Sequence, residues 1–290
     1  MMKAKDLEQC LTRMVREAGE VLRRHFGRVR TVRQKESPYS VVCEADLAAE
    51  ACVLARLKAW FPHDNLISEE AGFRQGTSQR TWIIDPLDGT SNFLAGLPWF
   101  GVQIALLQRR KPLAAAMYLP AADALYFAAA GAGVKKNGRR IHTTRTKDLS
   151  TVLCGFGFDP GGSTLSTRGQ VELLRRVGSG VRNIRATNSL VDFCYTLEGQ
   201  FGCFVNLNTK IWDIAPVCLM MPEAGGRVTD LSGRTLAFDL DPRTYGRSYQ
   251  VAGAPRALHP GLIRLLGCRK ETARRCARVA SRQKDTVRLG

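Results

Sequence analysis

What this 290-residue chain lacks narrows its chemistry before any motif is read. Acid is scarce: 26 Asp and Glu stand against 43 Lys and Arg, a formal net charge of +17. The excess is uneven, because residues 256–290 alone carry a local +8, leaving +9 over the first 255. Aromatic residues make up 8% of the chain, and none lies beyond Gly261. The basic end therefore has no ring on which to stack a base, so it reads as a solvated tail, with nucleic-acid contact as the alternative. Nine cysteines form no CxxC pair and no Cys/His cluster, which argues against a structural zinc site or a thioredoxin-like motif. Their odd count, with Cys52, Cys154, Cys194, Cys203 and Cys218 in apolar company, predicts reduced buried thiols and a cytoplasmic location. No uninterrupted apolar run opens the chain, so no secretory leader is expected. Residues 113–134 are the most apolar stretch, but Pro120 and Asp123 interrupt them. They read as two strands, LAAAMYL and ALYFAA, and not as a membrane span. None of the four histidines (His25, His63, His142, His259) sits in a nucleophile-and-base motif, so covalent catalysis is not expected.

What is present is a globular chain, 44% hydrophobic with 12 prolines, long enough to bury a core without disulfides. Leu7, Leu11, Met14, Val15, Ala18, Val21 and Leu22 recur at helical spacing and predict an opening helix that ends near Gly27. A second helix is expected over residues 46–60, stopped by Pro62. TWIID, residues 81–85, reads as a buried strand entering a Pro-Leu-Asp-Gly turn, and residues 101–107 as another strand. Asn137-Gly138 marks a hairpin. Residues 155–162 read as a glycine-rich loop, and residues 170–177 and 188–198 as helices. A strand over 201–207 then leads to Asp213 and an apolar helix over 214–226. GRVTDL and YQVAGA are late strands, and HPGLIRLLG is a last short helix. Strands mixed with helices throughout predict α/β or α+β layering.

The chemistry gathers at Trp82-Ile83-Ile84-Asp85-Pro86-Leu87-Asp88-Gly89-Thr90-Ser91-Asn92-Phe93. A turn after Asp85 would bring Asp88 back beside it, so two carboxylates face one cation, with the Leu87 carbonyl as a third oxygen ligand. Hard divalent ions such as Mg²⁺ favour this all-oxygen surrounding. Gly89 and Thr90 then open a helix whose free N–H groups suit a phosphate. A metal turn running into an anion-binding helix start is a phosphate-ester site.

That string resembles the signature of the inositol monophosphatase family, as do Leu66-Ile67-Ser68-Glu69-Glu70, Trp212-Asp213-Ile214-Ala215 with Glu223-Ala224-Gly225-Gly226, and Val41-Val42-Cys43-Glu44-Ala45-Asp46. The resemblance covers roughly residues 7–267 and implies a layered α-β-α-β-α sandwich. Residues 1–267 would form the catalytic domain, with subdomains of about 1–145 and 146–267, and 268–290 a basic tail. It implies metal ligation by Glu69, Asp85, Leu87, Asp88 and Asp213, with two or three Mg²⁺ per site, Mn²⁺ as a substitute and Li⁺ as an inhibitor. It makes Glu69, Thr90 and Asp46 catalytic, the last two orienting a metal-activated water. Leu87, Asp88, Gly89, Thr90, Asn188, Asn206 and Asp213 would contact substrate. Local readings stand beside these: Asp46 as a helix-starting acid, Asp213 as an N-cap, Asn206 as a strand end.

The implied activity is hydrolysis of a small phosphate monoester, foremost inositol 1-phosphate or a similar polyol phosphate, by a homodimer. Histidinol phosphate and sugar (bis)phosphates are the alternatives. Asn206 stands where the family commonly has a glutamate, which weakens inositol selectivity. A cationic substrate would want an acid near Asn206, and the local VNLNTK offers none. A basic, nucleic-acid-associated regulatory protein that keeps the fold is the non-enzymatic alternative.

Overall fold

Along residues 82–84 the side chains alternate between two apolar layers: Trp82 and Ile84 belong to one cluster, Ile83 to another. A strand buried on both faces needs cover on both, and this decides the architecture. The structure, a computed structural model, describes residues 4–35, 41–159 and 165–267. The basic segment 268–290 lies outside the described residues.

The chain opens with α1 (Ala4–His25), the antiparallel pair β1 (Val32–Gln34) and β2 (Val41–Cys43), and α2 (Glu44–Trp60). An eight-stranded sheet follows: β3 (Asn65–Ser68), β4 (Gly72–Arg74), β5 (Arg80–Asp88), β6 (Gly101–Gln108), β7 (Lys111–Leu119), β8 (Ala124–Ala129), β9 (Gly133–Lys136) and β10 (Arg139–Ile141). The short helix α3 (Thr90–Leu94) interrupts it after β5. A five-stranded sheet comprises β11 (Leu153–Gly157), β12 (Asn183–Arg185), β13 (Cys203–Thr209), β14 (Gly226–Thr229) and β15 (Tyr249–Pro255). Its helices are α4 (Thr167–Gly178), α5 (Val191–Leu197), α6 (Ile211–Glu223) and α7 (His259–Leu266).

Leu11 and Met14 of α1 and Val53 and Leu57 of α2 pack on the Trp82 and Ile84 face of the first sheet. The opposite face meets Phe193 of α5 and Ile214 and Val217 of α6, which also touch Phe204 and Val251 of the second sheet. Val177 of α4 and Leu262 of α7 cover that sheet's far side over Cys154, Val205 and Ala252. The order is α-β-α-β-α, the expected sandwich.

Three local expectations change. Residues 155–157, expected as loop, lie in β11. Their glycines mark close packing: a Cβ on Gly155 would stand 2.7 Å from Asp192 Cγ, and one on Gly157 2.7 Å from Asn206 Oδ1. The apolar helix begins at Ile211 rather than 214, so Asp213 is its third residue and not its cap. Pro216 falls inside the helix, past the first turn where a missing N–H is harmless. Finally, Pro86 makes no turn, because the chain stays in β5 through Asp88.

Candidate active site

The pairing of β5 with β6 explains how Asp85 and Asp88 meet without a turn. Asp85 is opposite Gln103 and Asp88 opposite Gly101, so three steps on β5 match two on β6. Side chains three apart on a regular strand point to opposite faces. One surplus residue cancels that reversal and puts both carboxylates on the same side. Pro86 suits the bulge, where no ladder N–H is needed. Gln103, wholly buried, donates its Nε2 to Asp88 Oδ2 at 2.9 Å and to Asp85 Oδ2 at 3.5 Å, and Leu190 N–H donates to Asp88 Oδ1 at 2.6 Å.

Parallel pairing brings the next acid. Ser68 of β3 is opposite Ile84, and Glu69 N–H donates to Ile84 O at 3.2 Å, so Glu69 emerges beside Asp85. Buried Glu50 of α2 clasps this corner by accepting from the Ser68 hydroxyl and from Ala71 N–H. Lys35 reaches the same corner, with Nζ 2.8 Å from Glu69 Oε1 and a second ion pair to Glu70. Burial alone would lower the Lys35 ammonium, but the two glutamates outweigh it and hold the group above its ordinary range. Burial and the Glu69 charge push Glu70 up to about 7.

Asp213 enters from α6, anchored by Lys210 N–H to its Oδ2 at 2.7 Å. Asp85, Asp88 and Asp213 each offer an oxygen within 4.8 Å of the others. Burial first, then the Glu69 charge on Asp85 and Asp213 and the Asp213 charge on Asp88, raises all three above the usual carboxylate range, Asp213 to about 7. Such a cluster calls for positive charge. The cavity it lines, about 170 Å³, also has Glu69, the Leu87 carbonyl residue and Thr90 in its wall and no basic side chain among its lining residues. An all-oxygen, acid-rich donor set fits hard divalent cations such as Mg²⁺.

Thr90 Oγ1 donates to Leu87 O at 3.0 Å and faces Asp46 Oδ1 at 3.2 Å. Asp46 is wholly buried at the third position of α2, where its Oδ2 accepts Cys43 N–H at 2.8 Å. It is thus both the helix-starting acid and the partner of Thr90. Burial raises its carboxyl, and the Cys43 hydrogen bond opposes that. Gly89 caps α3 with φ +86, and a Cβ there would stand 2.5 Å from Trp99 O.

Across the cavity the wall changes character. Asn188, Ser189, Asn206 and Asn208 line it, with Asp159 beyond them. Asn188 adopts φ +49 and bonds the Phe158 backbone through both ends of its amide. Every expected site residue except Asp46 lines the one cavity, and Asp46 sits behind Thr90. Sequence reasoning passed over Lys35, Glu50, Gln103, Asn208 and Asp159. Only Gln103 carried a local signal, as a polar residue inside the apolar run of β6, whose other glutamine, Gln108, is exposed at its end.

The inositol monophosphatase family model matches residues 3–271. An inositol-1-monophosphatase of Mesorhizobium japonicum is 36% identical over 220 residues, 75% of this chain and 82% of that protein. A protein of Xylella fastidiosa named Nus factor SuhB is 32% identical over 225 residues, 77% of this chain and 81% of the other. Among solved structures, the extragenic suppressor protein suhB of Bartonella henselae matches with a TM-score of 0.82 at 30% identity, covering 91% of this chain and 99% of that one.

Proposed function

The chain belongs to the inositol monophosphatase family, and from that premise we propose that it hydrolyses a small phosphate monoester with Mg²⁺, foremost inositol 1-phosphate or a similar polyol phosphate. The observation that carries this reading is the convergence of Asp85 and Asp88 of β5 with Asp213 of the distant α6, beside the Thr90–Asp46 pair. Glu69, Asp85, Asp88, Asp213 and the Leu87 carbonyl would hold two or three Mg²⁺, with Mn²⁺ able to replace it and Li⁺ to block it. Bound divalent cations neutralise phosphoryl oxygens and the departing alkoxide and make water more acidic.

The protein's own groups do the rest. Thr90 Oγ1 accepts a hydrogen bond from the attacking water and passes its own proton toward Asp46 Oδ1. Asp46 is held still by Cys43 N–H, so the base needs no reorganisation. The N–H groups after Gly89 receive phosphate oxygens. Asn188 and Asn206 hold the organic part, where an amide both donates to and accepts from hydroxyls. The fold forms no phosphoenzyme in this scheme. Testing it takes a panel of phosphate esters assayed with Mg²⁺, then with chelator, then with Mg²⁺ restored. Turnover that ignores chelation, or no turnover of any ester, rejects it.

The Nus factor name of a similar protein motivates a second reading, in which the fold serves a nucleic-acid-associated regulatory role. In the first reading residues 1–267 form the catalytic unit, with subdomains of about 1–145 and 146–267, and the basic segment 268–290 is an accessory. Deleting residues 269–290 separates the two readings: retained turnover with lost polyanion binding assigns the tail a binding role. Homodimer formation belongs to the first reading and is checked by sedimentation.

A further inference from the structure

Five carboxylates and no cationic side chain line the cavity. Four of them form the acidic cage, and divalent cations there would offset them. Asp159 differs, because it approaches from the end of β11 on the amide side, next to Asn208. It is held in place there. Gln170 of α4, wholly buried, accepts Asp159 N–H on Oε1 at 3.3 Å and donates Nε2 to Asp159 O at 3.1 Å and to Leu165 O at 3.2 Å. Asn208 Nδ2 donates to Asp159 Oδ2 at 2.9 Å. Asn208 is itself fixed, its Oδ1 accepting from Ser248 at 3.2 Å, and that hydroxyl accepts from Lys210 Nζ at 3.0 Å. A buried glutamine bonded to both backbone groups of Asp159, with Asn208 on the carboxylate itself, holds this acid in one place.

We infer that Asp159 is a specificity-determining residue that favours phosphate esters whose organic part bears a protonated nitrogen. This rests on the phosphatase reading and refines it. The neighbouring lining groups on that wall are the uncharged amides of Asn188, Asn206 and Asn208, which hydrogen-bond to a polyol but do not balance a carboxylate. A hydroxyl donates one bond to Asp159, whereas an ammonium or imidazolium donates and supplies the missing charge. The segment around Asn206 has no acid of its own, and the fold brings one from residue 159.

The experiment compares ω-aminoalkyl phosphates of graded length with ω-hydroxyalkyl phosphates of the same lengths, with Mg²⁺, reading the ratio of kcat/KM. The native protein favours the amine at one or more lengths, and Asp159→Asn lowers that ratio by about 10- to 100-fold. Asp159→Lys reverses it. Thermal melting of both variants checks that they fold. Hydrolysis of the hydroxyl esters with no amine preference at any length overturns this inference alone, as does a ratio unchanged in Asp159→Asn. Absence of Mg²⁺-dependent turnover of every ester overturns the phosphatase reading and this inference with it.

Discussion

The two walls of the cavity are built on opposite plans. The acidic wall, Glu69, Asp85, Asp88 and Asp213, stands at the ends of paired strands and the first turn of α6; the three aspartates each accept a backbone N–H, and Lys35 holds Glu69. The amide wall, Asn188, Asn206, Asn208 and Asp159, is hung on strand ends and connections of the smaller sheet. One wall carries charge that demands cations, and the other carries dipoles and a single charge. Under the proposed function, reaction type and substrate choice are built separately, so they can fail separately.

The strongest way to break this separation is at the acidic wall. Asp85→Asn or Asp88→Asn should lower kcat about 1,000-fold or more in the assay that responds to Mg²⁺, with circular dichroism unchanged. Near-normal turnover would remove the acidic wall from the chemistry. Gln103 sharpens the same side. It bonds both carboxylates, so Gln103→Ala should weaken Mg²⁺ binding about 10-fold by calorimetry, a readout independent of turnover. At the amide wall, Asn206→Ala should raise KM for the polyol ester about 5- to 10-fold and leave kcat within about twofold. A collapse of kcat there comparable to that of Asp85→Asn would merge the two walls into one.

The smallest effect concerns stability. Asp192, 2% exposed beneath the amide wall, has its carboxyl pushed up to about 7 by burial, against hydrogen bonds from Thr187. An acid raised in the folded state adds stability below its unfolded pKa that is lost as pH rises through about 7. Between about pH 4 and 7 Asp192→Asn should flatten the fall in Tm by a few degrees, about 1 kcal/mol or somewhat more. An equally steep fall in the variant would clear Asp192 of responsibility.

The legibility of the two walls differs for the same reason. Asp85, Leu87, Asp88, Gly89 and Thr90 are contiguous, and strand pairing next to them carries Glu69 into place, so a local string and one parallel register hold most of the acidic wall. The layered fold was legible too, because strand alternation and helical spacing are local periodicities. Asp159 and Asn208 are 49 positions apart along the chain, and Lys35 and Glu69 are 34 apart. Nothing in either segment names its partner. The loop expected over 155–157 failed for a related reason: glycine signals a tight approach as readily as a bend, and the approaching side chains of Asp192 and Asn206 come from elsewhere. Asp213 shows the limit of capping rules, since a helix starting at Ile211 turns the same aspartate from cap into third residue.

The surplus residue between Asp85 and Asp88 sets a rule about length that no rule about identity can replace. Leu87 or Pro86 could be exchanged for other residues while the strand kept its course. Lengthening the facing stretch of β6 by one residue between Gly101 and Gln103 would make three steps match three, restore ordinary alternation and turn the later aspartate to the opposite face. The shared face of the two acids thus depends on the difference in length between the two strands and not on either strand alone.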